Sequence, residues 1–287
     1  MELAFHRSPN KYIGGVSIKV EDLKRSIAFY HNLLGFKILE QKENKVVFSA
    51  DGKKPLLIVE QPDNVIRKQV RTTGLYHFAI LLPERKDLAN ALYHLIQMNY
   101  PLQGASDHLV SEAVYLADPD GNGIEIYADR KSANWEWNQN QVVMDTIPLD
   151  INDLFSERDS EGWQGMPEAT IIGHVHLHVA YLDEAEQFYC KGLGFQMTSK
   201  YGSHALFISS GKYHHHIALN TWNGIGAPKP PENSVGLKWL TIILPNKEEK
   251  DQVIKRLKEI NARITEKDGK IYTIDPSGNQ IEITTAH

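Results

Sequence analysis

Three strings in this chain occur twice. Residues 14–20 read GGVSIKV and residues 173–179 read GHVHLHV; residues 29–36 read FYHNLLGF and residues 188–195 read FYCKGLGF; residues 118–127 read DPDGNGIEIY and residues 275–284 read DPSGNQIEIT. The offsets are 159, 159 and 157 residues. Self-similarity at a near-constant offset marks a repeated structural unit, and it limits the fold to one that can be built twice. The copies are expected at 1–130 and 171–287, joined by residues 131–170. That connecting segment is rich in Asn, Gln, Asp, Glu and Trp and has no sustained period, so it reads as a linker with one short helix around Ile151 to Phe155. The length of 287 residues suits two domains at roughly 100–200 residues each.

A finer repeat lies within each half. LYHFAILLP at 75–83 and GLKWLTIILP at 236–245 resemble the strand openings at 14–20 and 173–179. These openings alternate, or nearly so, and are rich in Val, Ile and Leu, as half-buried strands are. A helical stripe follows each one: Leu23, Ile27, Phe29, Tyr30 and Leu33; Leu88, Leu92, Leu95 and Ile96; Ala185, Phe188, Tyr189 and Leu193; Val253, Ile254, Leu257 and Ile260. Short strand-like runs come next, such as VVF at 46–48, LLIV at 56–59, LFIS at 206–209 and IYTI at 271–274. The pattern predicts an α+β fold of four βαβββ modules, at about 13–62, 72–130, 171–222 and 236–285. A helix covers one face of such a module and leaves the other concave. Two facing modules then close a half-barrel cleft whose polar strand residues can meet a ligand.

Composition removes several functions. The net charge is −5, so wholesale neutralisation of nucleic-acid phosphates is not expected. No apolar run reaches the ~18 residues of a membrane span. The opening MELAFHRSPNKYIGG has no long apolar core, so no secretory leader is expected. Cys190 is the only cysteine, which excludes an internal disulfide and a cysteine-based zinc cluster and fits a reducing cytoplasm. Nothing sets an oligomeric state, and a homo-oligomer is compatible with the sequence. Trp163, Trp222 and Trp239 are compatible with pocket walls or core, and core is the expectation.

The 13 histidines are where the chemistry concentrates. Aligning the modules puts Gly15, His77, His174 and Trp239 at one position of the first strand, and Glu125 and Glu282 at one position of the last. His174, His176 and His178 share a strand face, and the alignment with His77 selects His174. Module three carries Tyr213, His214, His215 and His216 where its last strand is expected. His77, His174 and Glu125 then form a facial triad, a set that suits non-haem Fe(II) because it leaves adjacent positions free. Zinc fits as well, with one open site. Each residue also has a plain structural reading. A lone strand histidine is usually not a ligand, Glu125 and Glu282 can both be accepting backbone bonds at the DPxGN turn, and residues 214–216 can be a solvated edge. Glu282 is expected to be structural, since Trp239 stands beside it in place of a histidine.

The chain resembles the vicinal oxygen chelate superfamily, which includes glyoxalase I, fosfomycin-resistance proteins and extradiol ring-cleaving dioxygenases. The resemblance covers nearly everything outside the linker. The strings GLYHFAILLP, VSEAVYLADPDGNGIEIYADR, IIGHVHLHV and YHHHIALNTW resemble those of the catechol 2,3-dioxygenases of the bacillus type. That branch usually takes a histidine from module three and a histidine and glutamate from module four. This chain departs from the pattern, with Trp239 in module four and Gly15 in module one. Pairing module two with module three completes the set as His77, Glu125 and His174, and leaves modules one and four a metal-free cleft around Gly15 and Trp239. The resemblance further implies His216 as the acid–base histidine, with His214 in reserve, and His108 and Tyr115 on the substrate side.

Such a site implies Fe(II), with Mn(II) also compatible, and a small aromatic diol and O2 as partners, without nucleic acid or membrane. Iron and the Glu125 carboxylate carry about +1, which a catechol monoanion brings to about zero. His216, with an ordinary pKa of ~6.5, would move protons at neutral pH. His108 and Tyr115 would donate hydrogen bonds to developing oxyanions. Cleavage beside the diol would give a 2-hydroxymuconic semialdehyde. Two other classes are compatible with the fold: a glyoxalase-type isomerase or hydrolase using Ni or Zn, and a binding protein without chemistry. Sites of the first kind are richer in carboxylates, and proteins of the second tend to lack a full triad.

Overall fold

Four first strands organise the chain, because each bonds to two neighbours of different direction. A computed structural model describes residues 2–286, so Met1 and His287, the ends of the two expected repeats, lie outside the described residues. Module one consists of β1 (Tyr12–Lys19), α1 (Leu23–Ile27), β2 (Lys37–Lys42), β3 (Lys45–Ser49) and β4 (Leu57–Glu60). Module two is β5 (Gly74–Leu81), α2 (Arg85–Gln97), β6 (Leu102–Asp107), β7 (Ser111–Ala117) and β8 (Gly123–Asp129). The connecting segment holds β9 (Trp137–Asn138), β10 (Gln141–Val142), β11 (Ile147–Pro148) and α3 (Ile151–Ser156). Module three is β12 (Ile171–His178), α4 (Leu182–Glu186), β13 (Gln196–Tyr201), β14 (Ala205–Ser209) and β15 (Ile217–Asn220). Module four is β16 (Gly236–Leu244), α5 (Lys247–Glu259), β17 (Ile264–Lys267), β18 (Lys270–Ile274) and β19 (Gln280–Thr285). No helix among these is long and apolar enough to cross a membrane.

Each first strand runs parallel to the last strand of its own module and antiparallel to the first strand of another. Two curled sheets result. One has the order β17-β18-β19-β16-β1-β4-β3-β2, the other β11-β6-β7-β8-β5-β12-β15-β14-β13. The β1–β16 and β5–β12 junctions carry the same two irregularities. An extra residue stands at Gly14 and Lys238 in one, and at Gly173 and Tyr76 in the other. Such bulges bend a strand, increase its twist and re-aim its side chains. Two glycines are fixed by close approach. A Cβ at Gly173 would lie 1.8 Å from the Tyr127 hydroxyl, and one at Gly123 would lie 2.0 Å from the Tyr76 carbonyl oxygen.

The recurring FY…LGF and DPxGN strings bond to each other. After α1 and α4 the chain passes through a wider π turn, Ala28–Leu33 and Gln187–Gly192. It then reverses at Gly35 and Gly194, whose φ values of 76° and 77° suit glycine. The turns drive Tyr30 and Tyr189 into the core, where their hydroxyls donate to Asp118 (2.9 Å) and Asp275 (3.0 Å). Burial raises the pKa of both carboxyls, and hydrogen bonds from the DPxGN turn and the tyrosine partly offset it. A continuous core under both sheets includes Tyr30, Phe78, Leu92, Val175, Leu193 and Leu257.

Two expectations need correction. The linker does more than connect, because β11 extends the second sheet by pairing Ile147 with Asp107. The histidine run also lies outside the last strand of module three. It occupies the loop between β14 and β15, entered through left-handed Gly211 and Lys212 (φ 68° and 62°). His216 therefore points inward. The Ser210 N–H donates to its Nδ1 (3.2 Å), which leaves its Nε2–H to donate to the Phe5 carbonyl (3.1 Å). Both ring nitrogens are satisfied in the neutral form, with no free edge for a substrate. Burial, assisted by His214 and His174, pushes its pKa down to about 3.

A buried neutral histidine makes the fold acid-sensitive. In the unfolded chain His216 takes up a proton as pH falls through 6.5, whereas in the folded chain it does so only near 3. Its contribution is therefore present above pH 6.5 and is lost progressively between 6.5 and about 3, at about 1.4 kcal/mol per pH unit for such a group. Urea unfolding at pH 7.5, 6 and 5 should show stability falling below 6.5, and His216→Gln should reduce the slope by one proton. An unchanged slope in that variant would mean that His216 is not held neutral.

Candidate metal centre and its cleft

The three strands at the centre of the second sheet each direct one polar side chain to a single point. His77 lies on β5, Glu125 on β8 and His174 on β12 just past the Gly173 bulge. One ligand atom from each falls within 4.8 Å of the other two, and all three residues are buried. His77 Nε2 stands 3.0 Å and His174 Nε2 3.3 Å from the same oxygen, Glu125 Oε2. The His77 contact is close but misaligned for a hydrogen bond, so its Nε2 is an orphaned buried atom. His174 Nδ1 is orphaned too.

Burial alone would push the Glu125 carboxyl up, but His174 and His77 together hold it well below the usual range. Burial lowers His174 to about 4, with Glu125 opposing. Among the described residues no lysine or arginine reaches Glu125. A buried carboxylate with no fixed cation beside it is costly unless something positive sits there. The donor set, two imidazole nitrogens and one carboxylate oxygen, fits a divalent transition ion, and such an ion would engage the misaligned His77 nitrogen.

The equivalent place in the first sheet has been filled differently. Gly15 and Trp239 stand where the histidines are, and Glu282 matches Glu125. Lys270 Nζ lies 2.8 Å from Glu282 Oε1, so this carboxylate already has its cation. Lys238 bonds Glu60 and sits 5.0 Å over the Trp239 ring.

Beside the triad is a cleft of about 530 Å³, a size suited to a small organic ligand. Tyr115 pairs in register with Glu125. Its hydroxyl is 2.6 Å from His108 Nε2, and His108 Nδ1 is 2.8 Å from the Asp145 carbonyl. A carbonyl only accepts, so Nδ1 carries the His108 proton, Nε2 is a lone pair, and Tyr115 donates to it. Burial, then Glu125, raises the Tyr115 pKa well above 10 and keeps the phenol protonated. His108 thus lines the cleft with both ring nitrogens engaged and has no donor left for an oxyanion, contrary to the expectation for it. Asp145 and its neighbours Met144 and Thr146, from the linker, form part of the wall.

The cleft histidine from the run is His215, in place of His216. Its ring centroid lies 4.2 Å from that of His174, while His214 is fully buried behind it. Burial, then the surrounding histidines, lowers the His215 pKa well below 6.5. His176, Tyr76, Phe207 and Trp222 complete the opposite wall. Trp222 is 49% exposed and lines the cleft, so it is not a core residue. Asn220 fixes His176: the Trp222 N–H donates to Asn220 Oδ1 (3.0 Å), so the amide nitrogen faces His176 Nε2 (2.8 Å). Sequence reasoning missed His215 and the wall residues. The tandem histidines pointed to the segment, but the resemblance implied His216, and it is His215 that lines the cleft.

Comparison with known proteins agrees with the fold. The model of the Glyoxalase/Bleomycin resistance protein/Dioxygenase superfamily matches residues 12–126 and 171–283. The chain is 46% identical over 268 residues to the catechol-2,3-dioxygenase of Bacillus subtilis (strain 168), covering 92% of this chain and 94% of that one. Among solved structures, one from Bacillus subtilis subsp. subtilis str. 168 superposes with a TM-score of 0.65 at 16% identity, covering 96% of this chain and 84% of the other. Glyoxalase I from Zea mays does so with a TM-score of 0.60 at 16% identity, covering 95% and 92%. At such identities the two structures speak for the fold alone. Repeat, sheet order and family match agree, and the chain belongs to the Glyoxalase/Bleomycin resistance protein/Dioxygenase superfamily.

Proposed function

We propose that this chain is an Fe(II)-dependent extradiol dioxygenase that inserts O2 beside the diol of catechol or a substituted catechol, giving a 2-hydroxymuconic semialdehyde. The observation that carries the reading is the convergence of His77, Glu125 and His174, with an unpartnered buried imidazole nitrogen, beside a cleft that His176, His215, Tyr115, Phe207 and Trp222 help to line. The 46% identity to a protein named for this reaction supports it. His77, Glu125 and His174 would hold the metal, between module two and module three. A bound ferrous ion would supply Lewis acidity to adjacent hydroxyl oxygens and a path for electrons from the ring to dioxygen; Mn(II) suits the same donors.

The chain's own groups do the rest. His215, neutral and in the cleft, is the acid–base residue of this reading and takes a proton from a substrate hydroxyl. Tyr115, its own proton held by His108, offers an oxygen lone pair to the second hydroxyl. Phe207 and Trp222 form apolar walls against which an aromatic ring packs, excluding water. An ortho-diol fits this division, since one hydroxyl meets His215 and its neighbour meets Tyr115.

Two experiments test the assignment. Anaerobically iron-loaded Glu125→Gln should lose most of its iron, while Glu282→Gln should keep the wild-type content, as read by elemental analysis. The opposite pattern would place the metal in the other cleft. His215→Gln should keep iron yet lose about 10²–10⁴-fold in kcat on catechol, and His216→Gln should stay near the wild-type rate. Turnover that depends on His216 and not on His215 would overturn the acid–base assignment.

A further inference from the structure

Behind His215 runs a hydrogen-bonded chain that the proposed reaction does not itself require. His215 Nδ1 lies 2.8 Å from His214 Nδ1. His214 Nε2 lies 3.0 Å from Asp129 Oδ1, at the end of β8. The Tyr213 hydroxyl is 3.1 Å from both Asp129 oxygens, and the Tyr127 hydroxyl is 2.8 Å from that of Tyr213. Tyr127, Tyr213 and His214 are fully buried, and the Asp129 side chain is 5% exposed. Among the described residues no lysine or arginine pairs with Asp129; the adjacent Arg130 is taken by Asp107 and Glu112.

Acceptor-only chemistry gives this chain a direction. A carboxylate cannot donate, so in its neutral imidazole form His214 carries its proton on Nε2, and Tyr213 donates to Asp129. Tyr127 must then donate to Tyr213. His214 Nδ1 is consequently a lone pair, and at 2.8 Å the proton between the two rings belongs to His215 Nδ1. The remaining nitrogen, His215 Nε2, has no hydrogen-bond partner among the described residues, and the ring lines the cleft.

We propose that Asp129, acting through His214, is a positioning residue that fixes the tautomer of His215, so that Nε2 faces the cleft as a lone pair. Only the use of that lone pair, accepting a hydroxyl proton of a catechol, rests on the reading given under Proposed function. Asp129 and His214 touch neither cleft nor substrate. Tyr127 and Tyr213 orient the carboxylate, and Trp135 packs edge-on against His214 at 5.2 Å.

Asp129→Asn tests this through the orientation in which Tyr213 donates to an amide oxygen at the Oδ2 position, because the NH2 then faces His214 Nε2 and makes it an acceptor. The His214 proton moves to Nδ1, His215 Nδ1 becomes the acceptor, and His215 Nε2 carries hydrogen into the cleft. Long-range ¹H–¹⁵N spectra of the Zn(II)-loaded, ¹⁵N-histidine-labelled protein should show His215 protonated on Nδ1 in wild type and on Nε2 in Asp129→Asn. With iron, kcat on catechol should fall about 10²-fold or more, with KM within threefold and iron content unchanged. His214→Leu is the second variant if Asp129→Asn does not fold; it should release His215 into both tautomers. His215 protonated on Nε2 in wild type, or an unchanged tautomer in both variants, would overturn the proposal. A tautomer switch in a protein that does not turn over catechol would uphold the positioning role and remove the dioxygenase reading instead.

Discussion

The antiparallel junction between two first strands is the contact on which the remainder of this structure depends. At the β5–β12 junction one strand supplies His77 and the other His174, and two bulges set the angles at which those side chains leave the sheet. β8 then adds Glu125 through parallel pairing with β5. Because a one-residue slip in a strand would send every side chain to the other face, the register and the site are one property. The two close glycine contacts belong to the same device: Tyr127 fills the space beside Gly173, and the Tyr76 carbonyl fills the space beside Gly123.

The two clefts show how one backbone plan is put to different uses through the treatment of a single carboxylate. Glu125 and Glu282 occupy matching strand positions, and both are buried. Lys270 neutralises Glu282, and the surrounding face holds a second ion pair and a tryptophan. Among the described residues, the only groups beside Glu125 that can become cationic are imidazoles, which can neutralise it by protonation or join it in holding a metal ion. Burial works against protonation, lowering the pKa of His174. An ion therefore fits the second cleft and not the first, although the backbones are alike.

Much of this was legible in the amino-acid sequence, for a reason that also explains what was not. The α+β architecture of four modules follows from alternation, helical stripes and recurring turns, which are local signals. His77, Glu125 and His174 could be nominated because regular strands keep equivalent positions equivalent from module to module. His215 could not. It lies in a loop entered through two left-handed residues, where strand register does not carry over, so the resemblance implied His216 although its ring faces Phe5. Trp222 reads as a core residue, and the linker residues Met144 to Thr146 carry no signal, because their role comes from tertiary placement in the cleft wall. The proton order along Asp129, His214 and His215 depends on which nitrogen meets which atom, and only coordinates contain that.

The tyrosine–aspartate bonds have a topological consequence. Sheet pairing joins module one to module four and module two to module three. Tyr30 to Asp118 joins module one to module two, and Tyr189 to Asp275 joins module three to module four. Taken together, the four connections make a ring with no free end: sheet, bond, sheet, bond. Severing any one of them leaves all four modules connected through the other three, so load or thermal motion applied to one half is shared around the whole circuit. The molecule is two repeats in sequence, but mechanically it is a single closed frame.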